Sequence, residues 1–264
     1  MTGSTANMVA PWVERLARVG YTAKAILYIT IGYLASRAAL GRGGRVTDTR
    51  GALQEVNGAV LLVVAAGLLG YALWRLVEAF LDPERRGTGF KAIALRVGYA
   101  ARGVFHAGLG ITSMKIALGD GGAAGGNQAP RWTARAFELP GGELLVWLAA
   151  AWIAGYGVYQ FYRAWSPKMR RHLRLGELPD GLRTWVLAVS RFGIAARGVV
   201  FCLIGYFLTR AATQHDAAEA GGLRESLRAV AHTGRWPFIV VALGLIAYGV
   251  YELVNARYRS IQVV

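Results

Sequence analysis

The sequence predicts an all-α integral membrane protein: a six-helix bundle of three parallel two-helix repeats about a pseudo-threefold axis, with short interfacial helices in the extracytoplasmic loops. Three observations predict it. Of 264 residues, 55% are apolar or aromatic and only 17% are charged, against about 25% charged in an ordinary soluble domain. Six apolar stretches are each long enough to cross a hydrocarbon core of about 30 Å, which takes about 20 helical residues. The same pattern of cations, glycines and tyrosines then recurs in three pairs of these stretches.

Residues 1–20 read as an N-terminal interfacial segment. Pro11, Glu14, Arg15 and Arg18 interrupt any apolar run there, so no cleavable signal peptide is expected and the first span serves as the targeting signal. Repeat 1 covers residues 21–81, with spans at 21–40 and 59–81. Repeat 2 covers 95–165, with spans at 95–118 and 144–165, and repeat 3 covers 189–256, with spans at 189–211 and 237–256. Residues 257–264 form a tail. The second and fourth spans are the most apolar, since 56–74 and 144–162 carry no charge. The odd spans have charge-free centres of twelve residues, 25–36, 103–114 and 198–209, and need snorkelling ends to cross.

The connections differ in kind. Those after the second and fourth spans contain Pro83 and Pro167 among basic residues and read as linkers. Residues 49–56, 131–139 and 223–231 mix apolar and charged side chains at helical spacing, the pattern of helices lying on a bilayer surface. The glycine run 119–126 reads as a flexible connection, because no Gly-Lys-Ser/Thr follows to cradle a phosphate.

The repeat is explicit at the residue level. Arg18-Val19-Gly20-Tyr21, Arg96-Val97-Gly98-Tyr99 and Arg191-Phe192-Gly193-Ile194 open the odd spans. A cation follows at Lys24, Arg102 and Arg197, a glycine at Gly32, Gly110 and Gly205, and a second cation at Arg37, Lys115 and Arg210. The even spans carry Tyr71 and Trp74, Tyr156 and Tyr159, Tyr248 and Tyr251 at a common spacing. A unit of two spans repeated in parallel places the copies around an axis along the membrane normal.

The net charge of +15 comes from 30 Lys and Arg against 15 Asp and Glu, and almost all of the cations are arginine. They sit in short segments between apolar stretches, which suits anionic lipid head groups rather than nucleic acid. They are densest in the N-terminal segment, the second and fourth connections and the tail, which predicts both termini on the cytoplasmic side.

The Arg-x-Gly-Tyr-x-Ala-Lys/Arg opening, and the Gly-Leu-x-Gly-Tyr-Ala-Leu-Trp-Arg pattern of residues 67–75, resemble a bacterial membrane family of unknown function built from tandem two-helix repeats. The resemblance covers residues 17–256. In the later even spans Gln160 and Glu252 stand in the place of Arg75. The family implies this fold and a multi-pass location in the bacterial cytoplasmic (inner) membrane; it implies no activity.

Function is then read from residues. Lys24, Arg102 and Arg197 are candidates for binding an anion or lipid head group, either as a basic vestibule on the repeat axis or as snorkelling cations. Cations thirteen residues apart on one helix point to nearly opposite faces, so only one of each pair can face the axis. Arg75, Glu78 and Glu252 are candidates for intramembrane ion pairing. Glu78 is expected to meet Lys24, and Glu252 to meet Arg197, because an unpaired carboxylate in hydrocarbon would be neutralised or destabilising; a proton-coupling carboxylate is the alternative.

No cofactor is expected. Cys202 stands alone, and His106 has no second axial ligand in another span to hold a haem. Neither a Gly-x-Ser-x-Gly nor a His-Glu-x-x-His motif is present, and Asp120 lacks the partners of an intramembrane protease, so an enzyme is not expected. Two readings follow. One is a structural or accessory component packing with other membrane proteins or anionic lipid; the other is a small-solute or anion transporter or channel through a basic central vestibule. The prolines stay out of the span interiors, which removes one common sign of a transporter site.

Overall fold

Six long helices and three short ones make up the described residues of the computed structural model, 4–81, 87–120, 128–166 and 179–258. In chain order they are α1 (Ser4–Ala39), α2 (Thr49–Gln54), α3 (Gly58–Phe80), α4 (Phe90–Ala117), α5 (Gln128–Phe137), α6 (Gly142–Trp165), α7 (Asp180–Gln214), a 3-10 turn (Ala217–Glu219), α8 (Leu223–Thr233) and α9 (Arg235–Tyr258). No strand occurs among the described residues.

Local chemistry sets the boundaries. The Asp48 carboxylate accepts from the Gly51 N–H at 2.8 Å and starts α2, while the Asn57 side-chain oxygen accepts from Ala59 at 3.0 Å and starts α3. Gly141, at φ 73°, and Gly234, at φ 140°, turn the chain into α6 and α9, in backbone regions that side chains other than glycine's rarely enter.

By length and composition, α3, α6, α7 and α9 are each able to cross a membrane. The other two long helices, α1 with 36 residues and α4 with 28, exceed the length a bilayer needs. The expected segment 1–20 is not a separate element, since α1 runs unbroken from Ser4. The helices that carry the third and fifth expected spans likewise begin earlier, at Phe90 and Asp180: basic residues end an apolar stretch without ending a helix. The expected linkers at residues 82–86 and 167–178, most of the glycine run, and the tail from residue 259 lie outside the described residues.

The most extensive packing joins α1 to α9, α3 to α4, and α6 to α7; α7 also packs on α9, and α1 on α3. The two helices of the second repeat, α4 and α6, scarcely touch. Self-contained hairpins are therefore not the unit of packing. The main interface joins the even helix of one repeat to the odd helix of the next, and the reason is glycine. A methyl group on Gly32 would lie 2.7 Å from Ile246 of α9; on Gly110, 2.7 Å from Leu69 of α3; on Gly205, 2.7 Å from Ala154 of α6. Only a hydrogen fits, so the backbones approach closely.

The short helices pack where the α1, α4 and α7 chains turn back. Leu53 of α2 joins Leu61 and Leu109, Leu227 of α8 joins Val200 and Phe238, and α5 packs on α6 and the 3-10 turn. Arg224 of α8 reaches Asp48 at 3.6 Å.

Candidate functional site

On α3, α6 and α9 the repeated tyrosines are followed at four and seven residues by polar side chains, a spacing that puts all of them on one helix face. These are Arg75 and Glu78, Gln160 and Arg163, and Glu252 and Asn255. All are buried except Arg163, which is partly buried. The odd helices bring Lys24, Arg102 and Arg197 to the same level, with Tyr28, His106 and Phe201 one turn later.

Lys24 is 8% exposed, and its Nζ donates to Glu252 Oε1 at 2.7 Å across the α1–α9 interface. The Tyr248 hydroxyl donates to the same carboxylate oxygen. The second oxygen, Oε2, has no hydrogen-bond partner among the described residues. On the other side Lys24 lies 5.1 Å from the ring centre of Tyr71. Arg75 pairs with Glu78 within α3 at 2.5 Å, and its Nε donates to the Tyr71 hydroxyl at 2.9 Å.

Arg197 draws the repeats together. Its Nε donates to the Tyr28 hydroxyl of α1 at 3.1 Å, and its Nη1 to the Tyr156 hydroxyl of α6 at 3.3 Å. The guanidinium also lies 4.6 Å from the Phe201 ring centre and 4.8 Å from that of Tyr248. Arg102 faces the same Tyr156 ring at 5.4 Å, and Arg197 is 5.7 Å from it. Neither arginine forms an ion pair with a described carboxylate. Each such cation–π contact is worth up to about 2 kcal/mol when desolvated, yet a ring face supplies no full negative charge. His106 Nδ1 donates to the Arg102 carbonyl at 2.7 Å, and its ring packs against that of Tyr71 at a 60° tilt, 4.7 Å between centres. Arg163 donates to the Tyr251 hydroxyl.

The partners of the acids differ from the expected ones. Glu252 takes Lys24 rather than Arg197, because α1 packs along α9; Glu78 pairs with Arg75 inside its own helix. Lys24 and Arg197 are linked through Glu252, Tyr248 and Tyr28, and Arg102 and Arg197 through Tyr156. The second row of cations lies elsewhere: Arg37 and Lys115 are exposed, and Arg210 pairs with Glu219 at 2.8 Å. Sequence reasoning noted Gln160 in the place of Arg75 but gave it no role; it is a fully buried amide whose Oε1 and Nε2 have no partner among the described residues. Its signal was the alignment with Arg75 and Glu252. Tyr156 and Tyr248 were visible as repeated aromatics but not as hydroxyl donors and acceptors. Among the described residues no three His, Cys, Asp or Glu side chains come together as metal ligands.

The profile of the family described as Domain of Unknown Function (DUF1206) matches this chain three times, at residues 19–82, 97–166 and 192–259. The chain belongs to this family. Each DUF1206 match opens at the residue before Gly20, Gly98 or Gly193, so the family unit coincides with the repeat of cations and tyrosines. The uncharacterized protein YxxB of Bacillus subtilis (strain 168) is 28% identical over 256 residues, covering 94% of this chain and 92% of the relative. No solved structure matches the chain.

Proposed function

We propose that this DUF1206 protein is a multi-pass protein of the bacterial cytoplasmic membrane, with both termini inside, that binds an anion at the centre of its three repeats without catalysing a reaction. In this reading α1 and α4 cross the bilayer with the four more apolar helices, and the six form a bundle about a pseudo-threefold axis. The three equivalent glycine contacts support it: Ile246, Leu69 and Ala154 each stand two residues before the repeated tyrosine, and each receives the same glycine of the following repeat.

One observation carries the functional part. Among the described residues the central cluster holds five basic side chains, Lys24, Arg75, Arg102, Arg163 and Arg197, against two acidic ones, Glu78 and Glu252. An intramembrane cation is costly and is retained where it pairs or serves a pathway. Lys24 and Arg75 are paired. Arg102 and Arg197 converge on one tyrosine without a carboxylate, and guanidinium forks match phosphate or carboxylate oxygens.

The two ion pairs favour a second, structural role for the rest of the polar belt. They join α1 to α9 and brace α3, as expected of an accessory scaffold that packs with other membrane components, and Arg163 is held by the Tyr251 hydroxyl, whereas a purely structural core has no use for Arg102 and Arg197.

The test is thermal unfolding of the purified full chain in a neutral detergent with and without added inorganic phosphate, sulfate or acetate. The reading expects at least one anion to raise the transition temperature of the unaltered protein, and Arg197→Gln to abolish the effect. No stabilisation by any of them, together with none by anionic lipid, would overturn it.

A further inference from the structure

The second repeat departs from the other two in how its own two helices meet. In repeats 1 and 3 the two helices close on each other through a glycine four residues before the tyrosine: a methyl on Gly67 would lie 3.1 Å from Ala23 Cβ, and one on Gly244 would lie 2.2 Å from Ala196 Cβ. In repeat 2 that position is Trp152. The alanine that would receive the glycine, Ala101, is exposed, whereas Ala23 and Ala196 are buried. The entry glycines report the same difference. A methyl on Gly20 would lie 2.5 Å from Tyr71 Cβ and one on Gly193 would lie 2.3 Å from the Tyr248 nitrogen, but one on Gly98 would reach nothing nearer than the Trp152 ring edge at 3.8 Å. An indole in place of a hydrogen wedges α4 from α6, and the ring of helices is open there.

The opening leads to the uncompensated charge. Arg102 stands on α4 one residue after Ala101 and faces the ring of Tyr156, which stands on α6 one turn after Trp152; Arg197 donates to the hydroxyl of the same tyrosine. Both arginines are only partly buried. Along the helices away from Arg102, towards α5, the flanks are apolar and exposed at Phe105, Ile111, Leu148 and Trp152. Charge at one level and an open apolar slot beside it match an amphiphile: an anionic head held by guanidinium, with acyl chains left in the bilayer.

We propose that the anion is the phosphate of an anionic membrane phospholipid, which enters sideways between α4 and α6 and places its head group between Arg102 and Arg197. This rests on the anion-binding reading above and adds the ligand and its route. A slot wedged open by Trp152 admits a head group without threading it through the bundle, and Tyr156 holds both arginines at the inner end of the slot. Gln160, buried beside Gly198 and without a hydrogen-bond partner, is the neutral group that the second repeat carries where the others carry Arg75 and Glu252.

The experiment compares four full-length proteins, delipidated in a neutral detergent: unaltered, Ala101→Trp, Arg102→Gln and Arg197→Gln. Each receives phosphatidylglycerol, phosphatidylcholine or inorganic phosphate, with thermal stabilisation and lipid retained in native mass spectrometry as readouts. Ala101 is exposed, so tryptophan there fills the slot without invading the core, and its unfolding temperature without ligand reports whether it folds. The proposal expects one phosphatidylglycerol retained per chain in preference to phosphatidylcholine. Ala101→Trp should lose the lipid but keep any response to inorganic phosphate, and either glutamine variant should weaken lipid binding about ten- to hundredfold, the effect of one charge-assisted hydrogen bond. Arginine-dependent stabilisation by inorganic phosphate with no retained lipid, or lipid retention unchanged by Ala101→Trp, would overturn lateral entry and leave the anion site standing. Retention equal for both lipids, and unchanged in the glutamine variants, would overturn the head-group assignment. Absence of any response to lipid or phosphate would overturn both.

Discussion

Lys24 and Glu252, 228 residues apart in the chain, form a buried 2.7 Å ion pair that fastens the first long helix to the last. Removing one member of a buried pair leaves the other uncompensated, at about 3–5 kcal/mol. Glu252→Gln should therefore lower the yield and the unfolding temperature of the detergent-solubilised protein, and the double variant Lys24→Met, Glu252→Leu should recover much of both. Equal loss in the single and double variants would show that the pair is not what holds α1 to α9.

The glycines divide into those against a neighbouring helix and those facing outward. A side chain at Gly205 meets α6, whereas nothing lies within 4 Å of one at Gly155 or Gly108. Gly205→Leu should destabilise by at least about 1–3 kcal/mol, the cost of overpacking, and Gly155→Leu should be near neutral. The pair of unfolding temperatures checks this.

Trp152 is argued to hold α4 from α6. Trp152→Gly restores the residue found in the other two repeats and should let the helices close over Ala101. The readout is maleimide labelling of Ala101→Cys in a Cys202→Ala background: labelling should be rapid beside Trp152 and slow beside glycine. Equal rates would assign the gap to another cause.

Topology is testable in intact cells or spheroplasts. With Cys202 replaced, Arg131→Cys on α5 should react with an impermeant maleimide from outside, and Thr184→Cys near the start of α7 only after permeabilisation. The reverse pattern would invert the proposed orientation, which rests on the uneven distribution of arginine.

Much of the helix content was legible because apolar periodicity is a local signal: the three short helices α2, α5 and α8 lie within a few residues of the amphipathic segments that announced them. The three tyrosines and three cations were legible as a repeat. Their partners were not. An odd helix in this packing order has two even neighbours, its own and the preceding repeat's, and spacing along the chain does not say which supplies the counter-charge, so Lys24 was assigned to Glu78 rather than to Glu252. The departure at Trp152 was invisible for another reason. A central aromatic in an apolar span reads as core or lipid-facing, and only the close approach of Gly67 to Ala23 and of Gly244 to Ala196 reveals what a large side chain at that position prevents.

The central claim is that Arg102 and Arg197 share an anion that no side chain of the protein supplies. An experimental structure of the full chain, determined by electron cryomicroscopy in nanodiscs containing phosphatidylglycerol, tests it most directly. The account predicts density for a phosphate group within hydrogen-bond reach of both guanidiniums, continuous with acyl chains between α4 and α6. Closed packing of α4 on α6, with both guanidiniums satisfied by protein carboxylates or carbonyls, would contradict it.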